Sequence, residues 1–204
     1  MAENREFFNR RLHSLLGVIP VGLFLMQHLV VNHFSTYGPE TFNAAAHFME
    51  SLPLRLFLEI FVIYIPLIFH AVYGVYIAFT ASPNSFKFGY FRNWMFVLQR
   101  ITGVITLIFV VWHVWETRLA ALIYDTEITF DLMATILSSP FMFWFYVVGV
   151  ISTVFHFANG LWSFAVTWGI TVTPRSQVIM TYVTIAIFAI FTYMGIASLI
   201  AFTS

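Results

Sequence analysis

Four of the seven histidines, His28, His70, His113 and His156, each lie inside a long apolar stretch of the sequence, one to a stretch. An imidazole held away from water can bind a transition metal through one ring nitrogen while the other makes a hydrogen bond. An ionisable side chain at membrane depth is costly to place, so four at comparable positions point to a function. Any one of them alone would read equally well as a packing residue bonded to a neighbouring carbonyl. His33, at the very end of the first stretch, and His47, beyond it, are expected to be exposed at the outer side. His13 stands one turn from the edge of the first stretch, where an interfacial position is expected, with a bound carboxylate group as its other possible use.

The elements that must carry these histidines are helices. Crossing a hydrocarbon core about 30 Å thick takes roughly 20 mainly apolar residues, and five runs meet that length. They cover about Leu12 to Phe34, Leu56 to Thr80, Trp94 to Leu119, Phe141 to Trp168 and Val178 to Phe202. The chain therefore reads as one all-α integral membrane domain, residues 1–204, with five transmembrane helices, the first four forming a histidine-bearing bundle. The first run follows Arg10 and Arg11 but is too long for the apolar segment of a cleaved leader. Glu40 to Ser51 and Asp131 to Ser138 are short amphipathic stretches expected to lie along one membrane surface.

Basic residues in short loops stay on the cytoplasmic side. Arg5, Arg10, Arg11, Lys87, Arg92, Arg100 and Arg175 share one side, against Arg55 and Arg118 on the other. That places the N-terminus in the cytoplasm and Ser204 outside.

Depth then sorts the histidines into pairs. At 1.5 Å per residue, His28 lies about 25 Å and His113 about 20 Å from the cytoplasmic edge, while His70 and His156 each lie about 22 Å from the outer edge. Antiparallel threading thus brings His28 and His113 to an outer level and His70 and His156 to an inner one, roughly 10 to 17 Å apart. Two histidines at one level on different helices of a bundle can coordinate one iron from both faces of a porphyrin. Two levels imply two stacked haems. The spacings of 42 residues from His28 to His70 and 43 from His113 to His156 suggest a repeated helix pair, with Gly17 and Gly103 as further markers.

Gly74 and Gly160 each follow a histidine by four residues, one turn along the same face, where a missing side chain lets a flat macrocycle approach the backbone. Close helix packing explains the same glycines without a cofactor. Arg100, just inside the third helix, is the arginine best placed to meet a haem propionate with its guanidinium fork. Arg10, Arg11 and Arg175 stand nearby and also serve as cytoplasmic anchors.

Composition narrows the alternatives. The chain is 60% hydrophobic and 9% charged with mean hydropathy +0.87, far from the roughly 25% charged residues of soluble domains. Its net charge is zero, which leaves no basic stripe for nucleic acid. The absence of cysteine excludes disulfides, iron–sulfur clusters, thiolate zinc sites and covalently attached haem on this chain.

Four segments carry a family resemblance: Arg10-Arg11-Leu-His-Ser-Leu-Leu-Gly-Val-Ile-Pro20 to Gln27-His28, His70-Ala-Val-Tyr-Gly74, Gln99-Arg100-Ile-Thr-Gly103 to Trp112-His113-Val-Trp-Glu116, and His156-Phe-Ala-Asn-Gly160-Leu-Trp-Ser-Phe. Over essentially the whole chain the sequence resembles the di-haem cytochrome b membrane-anchor subunit of succinate dehydrogenase, the succinate:menaquinone oxidoreductase of Bacillus-type Gram-positive bacteria. The resemblance implies two haem b groups, the outer held by His28 and His113 and the inner by His70 and His156. It also implies a bacterial cell-membrane location and a flavoprotein and an iron–sulfur subunit docked on the cytoplasmic side. Electrons would pass from succinate through those partners and the haems to menaquinone, so no succinate-oxidising site is expected on this chain. Glu50 and Glu59, near the outer face, are candidates to supply protons to the quinone. The competing reading is a polytopic transporter that binds divalent metals through intramembrane histidines. That reading requires acidic co-ligands or a polar path between the two levels, where the sequence offers chiefly Phe, Val, Ile and Leu.

Overall fold

A computed structural model describes residues 2–204. Five helices are long and apolar enough to cross a membrane: α1 (Asn4–Tyr37), α3 (Arg55–Thr80), α4 (Phe91–Tyr124), α6 (Pro140–Thr167) and α7 (Pro174–Ala201). The short helices α2 (Pro39–Glu50) and α5 (Phe130–Leu137) join α1 to α3 and α4 to α6. All five expected spans are present, most of them extended at one or both ends by polar or interfacial turns. One end of the bundle carries the N-terminus and the Lys87 and Arg175 loops and is called the basic end. The other carries α2 and α5 and is called the capped end.

Breaks in the long helices have local causes. Proline lacks an N–H and its ring crowds the carbonyl one turn back. Accordingly, α1 breaks its helical run at Ile19, before Pro20. In α3 the seven residues Leu58–Tyr64 are wound as π-helix just before Pro66, and in α4 Trp115–Leu119 is also π-helical. Such widened turns leave backbone groups displaced and recur at functional sites. At the basic end, α6 stops at Gly169, whose φ of 72° suits a residue without Cβ. The bond from Ile170 N–H to the Ala165 carbonyl closes the termination. α7 restarts behind Thr173 and Pro174, where Thr173 and Ser176 cap each other.

α1 packs on α3, α6 and α7, and α6 packs on α4 and α7. This makes α1, α3, α4 and α6 the bundle, with α7 outside it against α1 and α6. The capped end is closed by aromatic rings: Phe42 of α2, Phe130 of α5 and Phe202 beyond α7 meet with centroids 4.9 to 6.2 Å apart. Asn43 accepts the Phe130 N–H at 2.8 Å, tying α2 to α5. Tyr146, Leu137 and Met133 extend this apolar core into the bundle.

Candidate cofactor-binding site

The four histidines meet in the pairs expected from depth. His28 on α1 faces His113 on α4 with ring centroids 5.8 Å apart, and His70 on α3 faces His156 on α6 at 6.1 Å. Two imidazoles bound to opposite faces of one metal, with bonds of about 2 Å, require centroids roughly 6 Å apart. The ring planes are crossed, by 73° and 84°. All four residues are half-buried.

Hydrogen bonds at the basic-end pair fix which nitrogen is free. His70 donates Nδ1–H to the His13 carbonyl at 2.9 Å, and His156 donates Nδ1–H to the Gln99 carbonyl at 3.0 Å. A carbonyl only accepts, so each Nδ1 carries the proton and each Nε2 keeps its lone pair for a metal. Gln99 also lies 3.3 Å from His156 Nδ1 through its amide nitrogen, which donates to the His156 carbonyl at 2.9 Å. Asn159, buried beside it, donates to Gln99 Oε1 at 2.8 Å and locks α4 to α6.

These contacts repeat along the chain. Both Nδ1 bonds span 57 residues. Adding 86 to His13, Gly17, His70 and Gly74 gives Gln99, Gly103, His156 and Gly160. Gly17 lies against the His70 ring and Gly103 against the His156 ring, where an added Cβ would come within 2.9 Å of Cε1. Gly74 meets His13, with Nε2 3.1 Å from an added Cβ, and Gly160 meets the Gln99 amide at 3.3 Å. The sequence argument singled out Gly74 and Gly160 beside the histidines, whereas the glycines that touch the histidine rings lie on the facing helices. From Gly17 to His28 and from Gly103 to His113 the helices rise about 15 to 17 Å, which sets the spacing of the two pairs.

The ring of His13, expected at the interface, stacks on His70 with centroids 4.0 Å apart. His33 is half-buried at the end of α1 with Nδ1 unpartnered among the described residues, whereas His47 is exposed.

At the capped-end pair, Asn32 donates to the His28 carbonyl at 2.8 Å and its amide nitrogen lies 3.3 Å from His28 Nε2. His113 Nδ1 lies 3.2 Å from the Tyr146 hydroxyl, which lies 3.3 Å from Glu116 Oε2. Sequence reasoning missed Asn32, Gln99, Tyr146 and Glu116. Gln99 left a signal through its repeat relationship to His13, and Asn32 and Glu116 through their places one turn after His28 and His113; Tyr146 left none.

Arg100 lines a cavity of about 280 Å³ with Arg92, Gln99, Asn159 and Trp162. Its guanidinium lies 3.3 Å from the Phe96 ring centroid, and its Nη1 donates to the Phe96 carbonyl at 2.8 Å. The Nε atoms of Arg100 and Arg11 are buried without a hydrogen-bond partner among the described residues. A buried donor left unmet costs about 1–3 kcal/mol, so a carboxylate arriving there is favoured. Glu50 ends α2, with its carbonyl taking a bond from Arg55. Glu59 is engaged by Arg118 at 2.8 Å and lies 3.6 Å from Arg55. Among the described residues no three histidine or acidic side chains converge as a bare-metal cage would require. The residues present fit a bis-imidazole prosthetic group better than a naked ion.

Residues 81–195 match the family model of the succinate dehydrogenase/fumarate reductase transmembrane subunit. The chain is also similar to a Bacillus subtilis (strain 168) protein described as succinate dehydrogenase cytochrome b558 subunit. The two are 68% identical over 202 residues, covering 99% of this chain and 100% of the relative.

Proposed function

The chain belongs to the family of succinate dehydrogenase and fumarate reductase transmembrane subunits, and on that premise we propose that it anchors the catalytic subunits. In this reading it passes electrons from their iron–sulfur subunit through two bis-histidine b haems to menaquinone. The observation that carries the reading is the pairing of His28 with His113 and His70 with His156 at 5.8 and 6.1 Å. The four imidazoles would hold the irons, Arg100 and Arg11 would meet propionates of the haem nearer the basic end, and Gly74 and Gly160 would make room for the His13 and Gln99 side chains behind the ligands. Held by these histidine pairs, haem b would supply one-electron transfer without oxygen binding.

The remaining tasks fall to the protein itself. His13 and Gln99 hold the basic-end imidazoles in one tautomer and orientation through main-chain carbonyls, so the ligand atoms need little rearrangement on binding. Apolar side chains between the two levels exclude water and ions. The basic end, rich in arginine, faces the cytoplasm of the bacterial cell and receives the iron–sulfur and flavoprotein subunits. The capped end faces outward, and Ser204 with it. Menaquinone is reduced there, with Glu50 and Glu59 as the candidate proton donors. Glu59 must leave Arg118 to act.

A reduced-minus-oxidised spectrum of the purified chain, taken with its haem-to-protein ratio, tests the reading. Two low-spin b haems per chain are expected. A haem-free chain that binds zinc or copper stoichiometrically overturns it in favour of metal transport.

A further inference from the structure

The two imidazole pairs differ in what meets the nitrogen turned away from the ligand position. At the basic end both acceptors are neutral main-chain carbonyls, those of His13 and Gln99. At the capped end the neighbour of His113 Nδ1 is a phenol, and the phenol is backed by a carboxylate. Tyr146 is 2% exposed, and its hydroxyl lies 3.2 Å from His113 Nδ1 and 3.3 Å from Glu116 Oε2. The same Glu116 oxygen accepts the Trp112 indole N–H at 3.0 Å. An ionised carboxylate offers only lone pairs, so the hydroxyl donates to Glu116 and its oxygen accepts Nδ1–H from His113. That polarity leaves Nε2 of His113 as the ligand atom.

Packing holds this chain of bonds in place. Phe109 stacks on the His113 ring at 5.6 Å and stands edge-on to Tyr146 at 5.2 Å. It can do so because Gly149 on α6 presents no side chain where the Phe109 ring lies. Arg118, the nearest arginine along α4, is committed to Glu59, and Glu116 makes no ion pair among the described residues. Its Oε2 is therefore met by hydrogen-bond donors alone, the Trp112 indole and the Tyr146 hydroxyl.

We propose that Tyr146 and Glu116 are positioning residues for His113 that fix its tautomer, make it a more electron-donating ligand and lower the redox potential of the capped-end haem. A hydroxyl that donates to a carboxylate is a stronger acceptor in turn, a stronger acceptor on the outer nitrogen raises the basicity of a metal-bound imidazole, and a stronger donor ligand favours the oxidised metal. Both carboxylate and phenol act through His113 and touch no substrate. The proposal rests on the two-haem reading above.

The test is an anaerobic redox titration, followed through haem absorbance, of the assembled complex in wild-type, Tyr146→Phe and Glu116→Gln forms. The capped-end haem is identified as the component missing from His28→Ala. Expected are two retained haems and a capped-end haem whose reduced-to-oxidised ratio at fixed ambient potential rises about tenfold, a shift of about 59 mV for one electron. The basic-end haem stays where it was. Because the two residues act in series, the double variant shifts no further than Tyr146→Phe. Unchanged potentials with both haems retained overturn the proposal, as does an equal shift of both haems. If Tyr146→Phe fails to assemble, Glu116→Gln, which preserves shape, decides alone. A wild-type complex without two haems fails earlier, at the reading on which the proposal stands.

Discussion

His13 holds His70 twice: its carbonyl accepts the Nδ1–H at 2.9 Å, and its own ring lies flat against the imidazole, 8° from parallel. The first contact belongs to the main chain and survives any substitution that keeps the helix. His13→Ala is therefore expected to retain both haems. His70→Ala is expected to lose the basic-end haem alone, and His28→Ala the capped-end haem alone. Haem-to-protein ratios with difference spectra check all three, and a His13→Ala chain missing a haem would show that the ring, not the carbonyl, is the essential support.

Gly17 and Gly103 lie where the two basic-end imidazoles press on the facing helices. Gly103→Ala puts a Cβ within 2.9 Å of His156 Cε1, and overpacking of this kind costs about 1–3 kcal/mol. The variant is expected to melt at a lower temperature in detergent and to lose haem from the basic-end pair first. Gly160→Ala meets only the end of the Gln99 side chain, at 3.3 Å, so a smaller loss is expected. Thermal unfolding of the two variants side by side makes the comparison.

Crossed imidazole planes leave the two iron orbitals that bond to the ligands nearly equal in energy, which widens the spread of the low-spin ferric resonance. With planes 73° and 84° apart, both haems are expected to give strongly anisotropic signals in electron paramagnetic resonance. A narrow rhombic signal of the parallel-ligand type would show that binding turns the rings.

The Arg118–Glu59 pair joins the two π-helical turns of α3 and α4, with side chains 17% and 20% exposed. Its worth lies between that of an exposed pair and a buried one, so Arg118→Ala is expected to cost about 1–2 kcal/mol. A double-mutant cycle with Glu59→Gln, read from thermal or denaturant unfolding, should return a coupling energy of the same order. Additive single losses would mean that the two side chains stabilise the turns independently.

Much of this arrangement was legible beforehand because membrane threading leaves few choices. An apolar run of about 20 residues must cross, alternate crossings must reverse, and a histidine's distance from the edge of its run then gives its level. This is why His28 met His113 and His70 met His156. What stayed hidden depends on side-chain direction across helices. Gly74 lies on the same face as His70 along one helix, yet the ring of His70 rests on Gly17 of another. His13 was expected at the interface from its distance to the run's edge, and that distance gave no sign that its ring stacks on His70. Tyr146 stands 30 residues from Glu116 on another helix, and no spacing joins it to His113; Glu116 does lie three residues after His113, but that spacing alone names no partner. The π-helical turns leave no period in the sequence at all.

The 86-residue shift reaches beyond any single contact. Each imidazole pair takes one member from the α1–α3 half and one from the α4–α6 half, and the halves run in the same sense, so they are related by an axis along the bilayer normal. A lone hairpin bearing two histidines could build both sites merely by associating with its twin. Division of labour between the copies then needs only local departures from likeness, such as glutamine at 99 opposite histidine at 13.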